Sequence, residues 1–157
     1  MKKNGLNKLL ALLLALVMVL ALAACGNKAQ DNGGTGDDAN VVTDGTVADG
    51  ATVGKGATAF TVEVAQLDGT SITFTVNTDK ATVGEALLEL GIVAGDDTEY
   101  GLYVKTVNGV TLDYDTDGAY WAFYINGEYA MTGVDATNIE AGATYTLKAE
   151  AAAATEG

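Results

Sequence analysis

The chain has 157 residues, with 21 acids against eight lysines and no arginine, histidine or proline, for a net charge of −13. That balance excludes nucleic acid as a partner, because phosphate contacts need Lys and Arg in number, and it opposes adhesion of the protein body to anionic lipid. One cysteine, Cys25, leaves no intrachain disulfide to form.

Residues 1–24 read as a processing signal. Lys2, Lys3 and Lys8 form a positive head, and the apolar run from Leu9 to Leu22 is 14 residues long. A membrane-spanning helix needs about 20. The run ends in Leu22-Ala23-Ala24-Cys25. Small residues before a cysteine resemble the bacterial lipobox, and the resemblance implies cleavage before Cys25 and a diacylglyceryl group on its sulfur. An ordinary secretory signal ahead of an incidental cysteine is the alternative; the position of Cys25 favours the lipid. Two acyl chains, at about 0.8 kcal/mol per buried CH₂, anchor a protein firmly. The protein is therefore expected at the extracytoplasmic face of the cell membrane, lipid-anchored, with no free thiol. Loss of the signal leaves five lysines against 21 acids, a balance of −16. Such a surface discourages self-association and attracts cations.

Residues 25–57 read as a flexible acidic linker. They are rich in Gly, Asp, Thr and Ala and contain no aromatic residue, too little apolar area to offset the entropy of ordering. As a coil the segment reaches roughly 30 Å root-mean-square. A sorting signal is the alternative to a spacer.

Residues 58–150 make one small domain, and 151–157 a frayed tail. Phe60, Val62 and Val64, then Ile72, Phe74 and Val76, alternate with polar residues, which predicts two strands joined around Asp68-Gly69. "TVGEALLELG" predicts a short helix: Thr82 caps it, Glu85 completes a capping box, and Gly91 closes it. Val83, Leu87, Leu88 and Leu90 are the residues it lays on the sheet. "GIVAGDDTEYG" reads as a loop. Asn108-Gly109 and Asn126-Gly127 mark two further hairpins, and "GATYTLKAE" a closing strand. The fold class is α+β: one small, mostly antiparallel sheet of about seven short strands, with one short helix on one face.

"LDYDTDGAYWAFYINGEY", residues 112–129, poses a choice. Asp113, Asp115, Asp117 and Gly118 have the spacing of the first half of a calcium loop. The bidentate acid that such a loop needs at its twelfth position is here Tyr124, and strands rather than helices flank it. The stretch reads instead as a turn launching an aromatic strand, with at most weak chelation of a divalent ion; no metal site is assigned. In that strand Trp121, Phe123 and Ile125 form the more apolar face and are expected in the core. Tyr120 and Tyr124 share the other face, with Tyr103, Tyr114 and Tyr129 as further members of a tyrosine surface suited to recognition. Cover by the helix and a long loop is the alternative for that face.

"DGAYWAFYINGEYAMTGVDATNIEAGATYTLK", residues 117–148, resembles the DUF4430 domain, also called the transcobalamin-like C-terminal domain. "TVGEALLELG" and "YGLYVKTVNGV" extend the resemblance over roughly residues 60–149. It implies an α+β module at bacterial surfaces, often lipid-anchored. In animal cobalamin carriers a similar domain closes over the corrinoid opposite a large helical domain, which this chain lacks. Tyr120, Trp121, Tyr124 and Asn126 are the ligand-binding candidates.

The expected function is a surface-anchored lipoprotein carrying a non-catalytic binding module, its ligand a small molecule such as a corrinoid. The alternative is an envelope structural or interaction protein that docks another protein or a glycan through the aromatic strand. Catalysis is disfavoured: there is no histidine to act as general base, Cys25 is consumed by lipid, and the single serine, Ser71, lies in a strand. Paired carboxylates hydrolyse glycosides in other folds, but a domain this small seldom forms a deep cleft. No cofactor is expected; cobalamin enters only as a ligand, and the membrane only through the lipid on Cys25.

Overall fold

The structure, a computed structural model, describes residues 42–153. The expected signal peptide, Cys25, the expected linker up to residue 41 and the expected tail from residue 154 lie outside the described residues. The two 8-residue strands β2 (Thr58–Ala65) and β3 (Ser71–Thr78) form the expected antiparallel hairpin, in register from Thr58↔Thr78 to Ala65↔Ser71. Its turn is closed by Asp68, whose carboxylate accepts from the Thr70 N–H (2.9 Å) and hydroxyl (2.6 Å). Gly69 supplies the positive φ of 87°. Phe60, Val62, Val64, Phe74 and Val76 are buried, as their alternation requires.

The 7-residue helix α1 (Val83–Glu89) carries the expected capping box: Glu85 N–H donates to Thr82 Oγ1 (3.2 Å), and Thr82 N–H donates to the Glu85 carboxylate (3.3 Å). At its end Gly91 (φ 69°) donates to Leu88 O (3.0 Å) and Ile92 to Leu87 O (2.9 Å), the paired closure that a left-handed glycine permits. Val83, Ala86 and Leu87 are buried; Leu88, expected on the sheet, is exposed.

Among the described residues nine strands form, not about seven, and they fall into two sheets. The larger has six strands in the order β1-β3-β2-β9-β7-β8, with β1 Thr52–Gly54, β7 Ala119–Ile125, β8 Glu128–Tyr129 and β9 Thr144–Ala151. The smaller has three: β4 (Val93–Thr98), β5 (Gly101–Val107) and β6 (Val110–Thr111). The larger sheet is only partly antiparallel, since β1 pairs with β3 and β2 with β9 in parallel. A parallel pair needs a crossover: along the chain, β2 lies between β1 and β3, and the run from β3 to β8, the helix and the small sheet included, lies between β2 and β9.

Four expectations are corrected. The "GIVAGDDTEYG" loop contains β4, whose only buried residue is Val93. Main-chain pairing with β5 holds it, across a register shift at Ala94/Gly95. A strand with one buried residue, held by main-chain pairing and by the Asp96–Lys105 ion pair (2.8 Å), shows no alternation. The turn at 113–118 is a one-turn helix, α2 (Tyr114–Asp117), closed by Gly118 in the left-handed region. The linker to residue 57 is in part folded: Val47 and Val53 are buried, β1 lies within it, and the Asn108 side chain brackets Val47, accepting from its N–H (2.6 Å) and donating to its carbonyl (3.3 Å). At the other end, β9 runs through Ala151, into the expected tail.

Candidate functional site

β7 reads Ala-Tyr-Trp-Ala-Phe-Tyr-Ile, and both of its faces are used. Trp121 and Phe123 point into the core, while Ile125 is half-buried. The Phe123 ring stacks on Tyr145 at 6.1 Å between centroids, and Tyr145 meets Phe60 edge-on at 5.4 Å. The Trp121 indole N–H donates to the Lys105 carbonyl (3.1 Å), which links β7 to β5 across the two sheets. The expected core face is therefore the observed one.

The opposite face gathers tyrosines around one carboxylate. Tyr120 donates to Glu150 Oε2 (3.1 Å) and Tyr124 to Oε1 (2.6 Å), where Lys148 also binds (3.1 Å). Tyr114 packs on Tyr120 and Tyr129 on Tyr124. The Tyr124 hydroxyl first, and Lys148 next, hold the Glu150 carboxyl below its ordinary range. The same hydrogen bond, followed by desolvation, pushes the Tyr124 phenol up to about 12, and Tyr120 is raised for the same reasons.

The two edges of β7 are paired differently. Hydrogen bonds from Asn126 N–H to Thr144 O (2.7 Å) and from Ala152 N–H to Gly118 O (2.7 Å) fix the phase of the β7–β9 ladder. Even-numbered residues thus turn their main-chain groups toward β9, and odd-numbered ones toward the other edge. On that edge β8 pairs only with Tyr124 and Ile125, and Ala130 N–H reaches Phe123 O (2.9 Å). Beside Ala119 and Trp121 there is no strand among the described residues.

A groove of about 410 Å³ runs along this edge, between residues 120–123 of β7, 102–104 of β5 and the segment 129–134, with Leu147 behind. No lining residue is charged, in a chain with 21 acids. Its volume falls within the range of roughly 300–1,000 Å³ usual for ligand sites. Tyr129 and Met131 are exposed at its mouth. Lys105 overhangs Tyr103, its Nζ 5.8 Å from the ring centroid.

The structure brings two of the four candidates, Tyr120 and Trp121, to this groove. Tyr124 is engaged by Glu150 on the outer face. Asn126 holds the hairpin turn at φ 50° and accepts from Thr144 N–H (2.9 Å), a structural role. Met131, Thr132 and Leu102 were absent from the sequence reading: they come from separate segments, and no local pattern marks them. Asp113 and Asp117 are turned onto the local backbone. Asp113 accepts from Asp115 N–H (3.0 Å) and Thr116 N–H (3.1 Å), and Asp117 accepts from Asp113 N–H (2.8 Å). Thr116, then Lys105, keep the Asp113 carboxyl below its ordinary value.

Residues 80–151 match the family described as a domain of unknown function, DUF4430. The crystal structure of a candidate metal-binding protein from Ruminococcus gnavus ATCC 29149 is 32% identical, covering 60% of this chain and 98% of that one, with a TM-score of 0.57. The chain belongs to the DUF4430 family. The crystal structure of haptocorrin in complex with Cbi is also similar to this chain, at 14% identity and a TM-score of 0.46, over 60% of this chain and 25% of that one. No curated protein matches the chain. Among the described residues of this DUF4430 protein, no group of three or more His, Cys, Asp or Glu side chains converges as metal ligands would.

Proposed function

We propose that this protein is a non-catalytic binding module, held at the outer face of the cell membrane by a lipid on Cys25, with the groove between β5 and β7 as its ligand seat. The observation that carries the reading is the uncharged, aromatic-walled groove in an otherwise strongly acidic chain. Apolar walls with a few orienting polar groups are the usual form of a ligand site. Here Trp121, Tyr103 and Tyr129 line the seat beside Thr132. The absence of histidine and the use of Ser71 in a strand support a role without catalysis.

Among small ligands, a corrinoid is the one the family resemblance implies. Flat aromatic walls suit a planar ring, but this open groove covers only one edge of so large a molecule, so a second protein would cover the rest. The test is a titration of the full chain with cobalamin and with cobinamide, following the fluorescence of Trp121, the single tryptophan, together with calorimetric heat. Micromolar saturation that is lost on changing Tyr120 to Ala supports a corrinoid seat. A folded protein with no heat and no fluorescence change removes the corrinoid and leaves the seat to another ligand class.

A further inference from the structure

The charge beside the groove identifies the kind of small molecule that it fits best, an inference that rests on reading the groove as the binding seat. We propose that the seat takes an organic amine, whose aromatic or aliphatic body lies in the groove and whose cationic end reaches the acidic hollow next to it.

Three observations carry this. The first is continuity. A hollow of about 750 Å³ lies at the end of the β4–β5 hairpin, lined by residues 97–103. It shares Leu102 and Tyr103 with the groove, so one ligand can lie across both.

The second is the division of character between the two. The groove has no charged lining, and its walls include Tyr103, Trp121, Tyr129 and Met131. Rings and an adaptable thioether suit an apolar body. The hollow carries the exposed carboxylates of Asp97 and Glu99. Behind Gly101, which also lines the hollow, stands Asp135. A Cβ on Gly101 would meet the Asp135 carboxylate at 2.6 Å, so glycine there lets a third acid come close.

The third is the lack of an internal cation to answer these acids. Lys80 is paired with Glu89 (3.1 Å), Lys148 with Glu150 (3.1 Å), and Lys105 with Asp96 (2.8 Å) and Asp113 (3.4 Å). The carboxylates of Asp97, Glu99 and Asp135 have neither an ion pair nor a hydrogen bond among the described residues. Unanswered anions beside an apolar wall favour a ligand of the opposite charge and reject an anion of the same shape.

The test compares three probes of similar shape on the full chain: phenethylamine, the neutral phenethyl alcohol and the anionic hydrocinnamate. Binding is followed by Trp121 fluorescence and by calorimetric heat at low ionic strength. An exposed charge pair is worth up to about fivefold in affinity, so the amine is expected to bind about fivefold or more tighter than the alcohol, and hydrocinnamate weakest. Added salt should narrow these differences. Asp97→Asn combined with Glu99→Gln changes only exposed side chains. This pair of substitutions is expected to bring the amine close to the level of the alcohol and to leave the alcohol unchanged; adding Asp135→Asn removes what preference remains. Equal binding of amine and alcohol to the unaltered chain overturns the inference. So does a preference that survives the exposed pair of substitutions, or amine heat without a Trp121 response, since either places the cation elsewhere. If cobinamide binds and the amine does not, this inference fails while the seat stands; if nothing binds to the folded chain, the seat itself fails.

Discussion

Trp121 shows how one side chain can serve both core and groove. It is 7% exposed, lines the groove and donates to the Lys105 carbonyl. Trp121→Ala is expected to cost about 3–5 kcal/mol, the range for deleting a buried aromatic. Trp121→Phe keeps most of the volume and loses the hydrogen bond, about 1 kcal/mol. The Lys105 carbonyl is not orphaned in that variant, because Leu112 N–H also donates to it (2.8 Å). Denaturant melts of both variants check the order; an unchanged midpoint for Trp121→Ala would remove Trp121 from the core. Glu150 sets the pH response of the outer face. Raising the Tyr124 phenol from 10.0 to about 12 means that the protonated, hydrogen-bonded form is the one favoured by folding. Its stabilisation is complete below pH 10 and is lost as pH rises toward 12. The lowered Glu150 carboxyl works in the other direction: its share is present above the ordinary value of 4.5 and is lost as pH falls through the depressed folded value. Glu150→Gln is expected to bring the Tyr124 midpoint down toward 10, read from phenolate absorbance. The two faces of β7 were legible from parity alone, because alternate side chains of a strand must part. The carboxylate that joins Tyr120 to Tyr124 was not, since Glu150 is 26 residues beyond Tyr124.

At the level of elements, helix α1 was readable because its signals are local. Thr82, Glu85 and Gly91 act within one turn of where they stand. Its packing was not readable. Gly84 sits inside the helix, where alanine would ordinarily gain up to about 1 kcal/mol in propensity. A Cβ there would meet the Asp135 main chain at 2.7 and 2.8 Å, and both the helix and the 3₁₀ turn Val134–Ala136 would have to part. Overpacking of this kind costs typically 1–3 kcal/mol, so the clash outweighs the propensity. Gly84→Ala is expected to lower the melting midpoint, and a rise would show that the helix moves freely against the turn. Thr82→Ala removes the cap alone and should cost about 1 kcal/mol. β4 marks the limit of such local reading. Five of its six residues are exposed, so hydrophobic period carries no information there, and only glycine fits at Gly95, because a Cβ would overlap the Tyr103 carbonyl. The groove inherits the same limit: one wall comes from β5 and its mouth from Met131, and only the pairing of distant strands brings them together.

For the whole molecule, the decisive correction concerns where folding begins. Residues 42–57 alternate small residues with glycine and aspartate and have the composition of a tether. Yet Val47 and Val53 are 4% and 0% exposed, and β1 extends the sheet from β3. Composition misled because a three-residue strand and one bracketed valine need little apolar sequence when a finished sheet and Asn108 are waiting for them. Their contribution is not small. Burying a valine is worth about 1.5–3 kcal/mol, so the pair contributes roughly 3–6 kcal/mol, against a total stability of about 5–15 kcal/mol for an ordinary domain. Removing the segment also strips the Thr73 N–H of its Asp49 carboxylate (2.7 Å) and leaves the Asn108 amide without Val47. A chain that begins at residue 58 is therefore expected to sit near the edge of unfolding, well below one that begins at residue 42. Urea titrations of the two, compared at midpoint and slope, decide it. The slope should also fall for the shorter chain, because less surface is exposed on unfolding. Coincident curves would mean that residues 42–57 lie on the sheet without holding it, and would return the boundary of the folded unit to the hairpin of β2 and β3.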